Sequence, residues 1–120
     1  MEPKILLVDD DPIILMSLDF LMRKQGYSVW LARNGTEAQS LYSEIQPDAV
    51  LLDIMMPDVD GLTLCREFKR ARPEAVVVLV SAKSSEDSVA EGLAAGADRY
   101  ITKPFSTRKL VAELRELLAQ

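Results

Sequence analysis

The sequence predicts a doubly wound α/β domain, a parallel sheet between two layers of helices. Three observations predict it. Five β-like runs, at residues 4–8, 27–32, 48–53, 76–81 and 98–102, alternate strictly with five helical ones. Such βα alternation builds a parallel sheet through right-handed crossovers. The third and fourth runs are continuous apolar stretches rich in Val and Leu, as strands covered on both faces require. The chain has 120 residues and 48% hydrophobic content, enough for one real core. A single domain over residues 1–120 is therefore expected.

Each element has its own justification. The run Ile5–Val8 ends on Asp9 and Asp10, and the first helix begins at Asp11-Pro12, with Asp as N-cap and Pro at the first helical position. Gly26 ends it. Its Ile14, Leu18 and Leu21 share one face, while Ile13, Leu15, Met16 and Phe20 make the helix more apolar than one buried stripe needs. In the second helix Ala38, Leu41 and Ile45 share a face, and Pro47 stops it. Asp60-Gly61 opens the third, where Cys65 lies between Leu62 and Phe68 and reads as a buried thiol. Lys69, Arg70 and Arg72 give that helix a cationic carboxyl end, which suits its dipole. The fourth helix, about 85–95, is the weakest: Val89, Leu93 and small alanines supply its apolar side, and Gly92 costs about 1 kcal/mol. The fifth carries a strong stripe of Leu110, Leu114, Leu117 and Leu118.

Composition removes several function classes. Fourteen Lys and Arg against nineteen Asp and Glu leave a net charge of −5, which argues against direct nucleic-acid binding. One cysteine excludes an intrachain disulfide and a thiolate metal cluster. The absence of histidine removes Ser-His-Asp and Cys-His catalysis, imidazole zinc sites, and a phosphohistidine on this chain. No apolar stretch approaches a membrane span or a signal-peptide core. A soluble, cytoplasmic chain with no membrane partner is expected.

Four apolar runs end on residues that phosphoryl chemistry uses: Asp9 and Asp10, Asp53, Ser81, and Lys103. In parallel strands these groups share the carboxyl edge of one sheet, where open α/β sheets bind ligands. Taken alone, Asp9, Asp10 and Asp11 read as a helix cap. Asp53 emerges from the buried run Ala49–Leu52, and an ionised carboxylate there needs a cationic partner. At about 4 Å and an effective dielectric near 20, each like-charge pair costs on the order of 4 kcal/mol. Lys103 supplies one positive charge; a divalent cation supplies the remainder. All-oxygen ligands without His or thiolate clusters select a hard ion, Mg²⁺ first. An aspartate can also attack phosphorus and form an acyl phosphate. Ser81 can donate to a phosphoryl oxygen, and Lys103 can pair with another.

These residues sit in blocks that resemble the response regulator receiver domain of two-component signalling, over essentially the whole chain. The blocks are Ile5-Leu-Leu-Val-Asp-Asp-Asp-Pro12, Leu51-Leu-Asp-Ile-Met-Met-Pro57 with Asp60-Gly61, Val80-Ser-Ala82, and Gly96-Ala-Asp-Arg-Tyr-Ile-Thr-Lys-Pro-Phe105. The resemblance implies a three-layer, flavodoxin-like fold with strand order 2-1-3-4-5 and five helices. It implies that Asp53 is the phosphoacceptor, that Asp10 binds Mg²⁺ directly and Asp9 through a water, and that the Met55 carbonyl is a further ligand. Ser81 and Lys103 would hold the phosphoryl group, and the Lys103-Pro104 peptide would be cis. Ser81 and Tyr100 would form a switch read out on the face of helix 4, strand 5 and helix 5.

The partners implied are a histidine kinase or histidine phosphotransfer domain and a downstream effector. A homodimer through helix 4, strand 5 and helix 5 stays open, although Arg99 stands where one large DNA-binding subfamily often has an acidic residue that bridges a dimer. Docking of the phosphodonor's helix is assigned to Ile14, Leu15 and Leu18 with Pro104 and Phe105, because exposed apolar patches often mark partner sites. Trp30 reads as a packing residue on an edge strand. Gln120 follows the fifth helix directly, which fits a stand-alone regulator or a receiver from a longer chain.

Two rival readings compete. A Mg²⁺-dependent phosphatase with an aspartyl nucleophile typically has a second acidic residue two positions on, and Met55 stands there, so turnover of external substrates is not expected. An FMN-binding protein needs a phosphate loop after the first strand, and Asp9-Asp-Asp-Pro12 would repel a phosphate.

Overall fold

The computed structural model describes residues 2–119. In chain order the elements are β1 (Lys4–Val8), α1 (Pro12–Lys24), β2 (Ser28–Ala32), α2 (Gly35–Ile45), β3 (Ala49–Asp53), α3 (Gly61–Ala71), β4 (Val76–Ser81), α4 (Glu86–Ala94), β5 (Arg99–Thr102) and α5 (Thr107–Leu118). The five strands pair in parallel in the order β2-β1-β3-β4-β5, as the resemblance implies.

Successive strand residues point to opposite faces of a sheet, so each interior strand feeds two cores. Leu6, Val8, Val50, Leu52, Val77 and Leu79 face Ala38 and Tyr42 of α2 and Leu64, Cys65 and Phe68 of α3. Ile5, Leu7, Leu51, Val78 and Val80 face Leu15, Leu18 and Met22 of α1 and Leu110, Leu114 and Leu117 of α5. Both faces of β1, β3 and β4 are thus covered, which explains their unbroken apolar runs. Trp30 on the edge strand β2 is half-buried and packs against the first of these cores.

The caps of α1 and α2 match their residue types, whereas Asp60 at the start of α3 makes no side-chain cap bond. Asp11 accepts the Ile13 amide at 2.9 Å, with Pro12 opening α1. Asn34 accepts the Glu37 amide of α2 at 2.9 Å. Gly26, at φ 92°, turns the chain from α1 into β2.

One phase assignment needs correction. Leu15, Leu18 and Met22 are the buried residues of α1, whereas Ile14 and Leu21 are half-buried at its side. Leu21 lines a shallow groove with Val111 and Ala112 of α5. The cause is compositional: α1 is apolar around most of its circumference, so two stripes fit the helical repeat equally well. Packing against both β1 and α5 selects between them. The face turned fully outward carries Ile13, Met16 and Phe20, each more than 70% exposed.

Candidate functional site

Parallel pairing brings the predicted strand-end residues to one edge. Val8 lies beside Leu52 and Asp53 beside Val80, so β1, β3 and β4 end together. Asp9 and Asp53 are buried while Asp10 is exposed. One carboxylate oxygen from each of the three lies within 4.8 Å of the others. The Lys103 ammonium reaches across from beyond β5, donating to Asp9 Oδ2 at 2.9 Å and sitting 3.5 Å from Asp53 Oδ2. The Lys103-Pro104 peptide is cis.

Backbone geometry aims these carboxylates. The Asp11 amide donates to Asp9 Oδ1 at 2.9 Å, and the Met55 amide donates to Asp53 Oδ1 at 3.2 Å. Beyond β3 the chain turns sharply, and the Gly61 amide donates back to the Ile54 carbonyl at 2.9 Å. A side chain at Gly61 would strike the Asp53 carbonyl and Ile54 Cα, so glycine there permits α3 to begin against the end of β3.

The electrostatics follow from burial and crowding. Desolvation, then the charge of Asp9, raise the Asp53 carboxyl above its ordinary value, against the opposing pull of Lys103. Burial acts to lower Lys103, but its hydrogen bond with Asp9 and the charges of Asp53 and Asp9 outweigh this and leave it raised. One ammonium faces three carboxylates, two of them shielded from water. The donor set is all oxygen, without His or thiolate, and Asp10 leaves it open to solvent. This arrangement fits a hard divalent cation that keeps some of its waters.

Ser81 closes β4, is fully buried, and accepts the Lys83 amide on Oγ at 3.1 Å. Its carbonyl accepts the Lys103 amide at 2.8 Å, tying β4 to the segment after β5. Tyr100 is half-buried on β5 and donates its hydroxyl to the Lys83 carbonyl at 2.7 Å. The backbone of Lys83 therefore joins Ser81 to Tyr100, a link no sequence pattern signalled. Gly92, read as a weak point of α4, has a packing reason: a Cβ there would lie 2.7 Å from the Tyr100 ring.

The docking assignment on α1 is corrected. Leu15 and Leu18 are 3% and 4% exposed, because they face the sheet, and neither can meet a partner. Ile14 and Phe105 are half-buried and Pro104 is exposed. Asp58, in the loop after Asp53, carries no catalytic or metal-binding pattern in the sequence. It accepts from the amides of Gly35, Thr36 and Val59 and from the Thr36 hydroxyl, and its only signal is the turn-like pattern Pro57-Asp58.

A doubly wound sheet that gathers three aspartates and one lysine at its carboxyl edge places this chain among the open α/β proteins whose sites lie at strand ends. The chain belongs to the response regulator receiver domain family, whose model matches residues 5–115. It is similar to a beryllofluoride-activated DrrB receiver domain, at 38% identity over all of both chains with a TM-score of 0.92. It is also similar to a CheY-like receiver domain protein from Methanospirillum hungatei, at 32% identity over 99% of this chain and 95% of that one, TM-score 0.94. The beryllofluoride-activated N-terminal receiver domain of Klebsiella pneumoniae RstA is 35% identical over 98% of this chain and 99% of that one, TM-score 0.91. No helix among the described residues is long and apolar enough to cross a membrane.

Proposed function

We propose that this chain is a phosphorylation switch, a single receiver unit over residues 1–120 that accepts a phosphoryl group on Asp53. The carrying observation is the buried Asp53 carboxylate, held between the Asp9 and Asp10 carboxylates and the Lys103 ammonium. Asp10, Asp53 and the Met55 carbonyl are assigned as direct Mg²⁺ ligands and Asp9 as a ligand through water. Bound there, the ion offsets charge on the acidic cluster and on an entering phosphoryl oxygen.

The chain's own residues do the rest. An Asp53 carboxylate oxygen attacks the phosphorus of a donor phosphohistidine. The P–O bond forms as the P–N bond breaks, and the electron pair leaves with the imidazole nitrogen. Lys103 pairs with one phosphoryl oxygen and the Ser81 hydroxyl donates to another. For that, the Ser81 hydroxyl turns toward the phosphoryl group and exchanges its bond with the Lys83 amide. Because Lys83 also holds the Tyr100 hydroxyl, the aromatic ring is released to swing inward. The surface of α4, β5 and α5 then changes for an effector. The partners are a histidine kinase or histidine phosphotransfer domain and an effector in the cytoplasm. Arg99 pairs within this chain with Glu113 at 3.9 Å and Glu116 at 3.7 Å of α5, so a homodimer through this face would have to share or displace those contacts.

Beryllofluoride with Mg²⁺ tests the reading. Amide signals of residues 53–55 should shift, together with those of Ser81, Lys83, Tyr100 and α4. Shifts confined to the α1 surface, with Asp53 unmoved, would overturn it.

For the phosphodonor we assign the outward stripe Ile13, Met16 and Phe20, together with Ile14, Pro104 and Phe105, in place of Leu15 and Leu18. It begins one turn from Asp10 and lies open. Phe20→Ser is expected to slow transfer from a phosphohistidine partner about tenfold, as loss of about 1.4 kcal/mol of apolar contact would. The thermal midpoint should stay within a degree or two. An unchanged transfer rate for both Phe20→Ser and Met16→Ser would refute the assignment.

A further inference from the structure

We propose that Asp58 is a positioning residue for the metal site, mooring the loop that carries the Met55 carbonyl onto the N-terminus of α2. The role rests on the phosphoryl-acceptor reading above. Residues 54–60 join the acceptor strand β3 to α3. One end of this loop is fixed at Asp53, where the Met55 amide meets Oδ1, and the other at Gly61, whose amide meets the Ile54 carbonyl. Between these anchors the Met56 amide donates to the Ile54 carbonyl at 3.2 Å, and the stretch from Pro57 to Asp60 is what remains to be fixed.

Asp58 fixes it through a contact made 22 and 23 residues away in sequence. Its Oδ1 accepts the Gly35 amide at 2.8 Å; its Oδ2 accepts the Thr36 amide at 3.0 Å and the Thr36 hydroxyl at 2.8 Å. Oδ1 also accepts the Val59 amide at 2.9 Å, which fixes the carboxylate against its own loop. Gly35 and Thr36 open α2, whose next free amide, that of Glu37, is taken by Asn34. A carboxylate at a helix N-terminus is favoured by the unpaired amides and by the dipole. These bonds hold the Asp58 carboxyl ionised, well below the usual carboxylate range.

A second, steric observation points the same way. A Cβ on Gly35 would lie 2.5 Å from Val59 Cβ, so the loop and α2 pack at a distance only glycine permits. Pro57 then stands between the mooring and the metal side. Its ring fixes its own φ and confines Met56 to extended backbone. With Asp58 held and Pro57 rigid, little freedom remains for the peptide units at 55 and 56. A carbonyl ligand to Mg²⁺ needs that fixity, because the ion demands near-ideal octahedral geometry.

Mg²⁺ titrations of the whole chain, followed by amide shifts at Asp53 and Met55, test the role. Asp58→Ala is expected to weaken Mg²⁺ about tenfold, the low end of the effect of losing an outer partner of a metal ligand. Asp58→Asn keeps one acceptor oxygen and should fall between, and it serves if the alanine variant folds poorly. Asn34→Ala is the control, because it also uncaps α2 but leaves the loop moored. It should lose comparable thermal stability while its Mg²⁺ dissociation constant stays within twofold of wild type. If Asp58→Ala and Asp58→Asn bind Mg²⁺ within twofold of wild type, the mooring role is overturned and Asp58 is a helix cap only. If Asn34→Ala weakens Mg²⁺ as much as Asp58→Ala, the effect belongs to α2 and the role is equally overturned. If wild type shows no Mg²⁺-dependent shift at Asp53, the phosphoryl-acceptor reading itself fails.

Discussion

Asp53→Asn should reduce phosphoryl acceptance by at least roughly a thousandfold, the scale of losing a nucleophile, and should make the folded chain more stable at neutral pH. The two effects have one origin. Burial and the neighbouring Asp9 charge raise the Asp53 carboxyl above its unfolded value, so the folded state holds that proton more tightly. The resulting stability is present below the unfolded carboxyl value and is lost as pH rises through the raised folded value. At neutral pH the ionised Asp53 is therefore a cost to folding. The amide removes that cost, and Lys103 keeps its 2.9 Å bond with Asp9. In metal-free buffer the gain should be about 1 kcal/mol, roughly 4 °C in thermal midpoint. It should shrink toward acid pH, where wild-type Asp53 is protonated in both states. Added Mg²⁺ should stabilise wild type more than Asp53→Asn, because only wild type keeps the third carboxylate. Thermal scans across pH, with and without Mg²⁺, check the stability terms, and labelled phosphohistidine donor checks acceptance. A variant that still took up phosphate at the wild-type rate would remove Asp53 from the mechanism.

The fold and most of the site were legible because they are written in local patterns. Apolar runs that stop on Asp, Ser or Lys mark both the strands and their carboxyl ends, and parallel pairing converts those ends into one edge. What was illegible depends on distant partners. Nothing near Asp58 in sequence says that its carboxylate caps a helix 22 residues upstream. Gly92 reads as a helix flaw until the Tyr100 ring is placed against it. Lys83 acts through its backbone, so its side-chain type carries no signal for the link between Ser81 and Tyr100. The phase of α1 is ambiguous for the opposite reason, an excess of signal: a helix apolar nearly all round offers several stripes, and only contact with the sheet and α5 distinguishes them.

Glycine at the start of α3 gives the sharpest contrast between local preference and tertiary demand. Helix propensity favours Gly61→Ala by up to about 1 kcal/mol, and Gly61 does not occupy the left-handed region that would penalise alanine. Sterics oppose it. The added methyl would meet the Asp53 carbonyl and the Ile54 backbone, which cannot rotate away as a side chain can. The overpacking cost should be roughly 3 kcal/mol, so the variant should lose about 2 kcal/mol net and about 8 °C in midpoint. Gly26→Ala provides the comparison. Its Cβ meets open space, and its penalty is the positive φ alone, about 1 kcal/mol. Because the collision falls on the peptide of Asp53 itself, relief must move the acceptor relative to Lys103 and the other carboxylates. Gly61→Ala should thus accept phosphate more slowly even well below its midpoint, whereas Gly26→Ala, at the far end of α1, should not. Denaturant midpoints and transfer rates for the pair measure both parts. A Gly61→Ala chain as stable as wild type would mean that α3 does not press on the end of β3 as described.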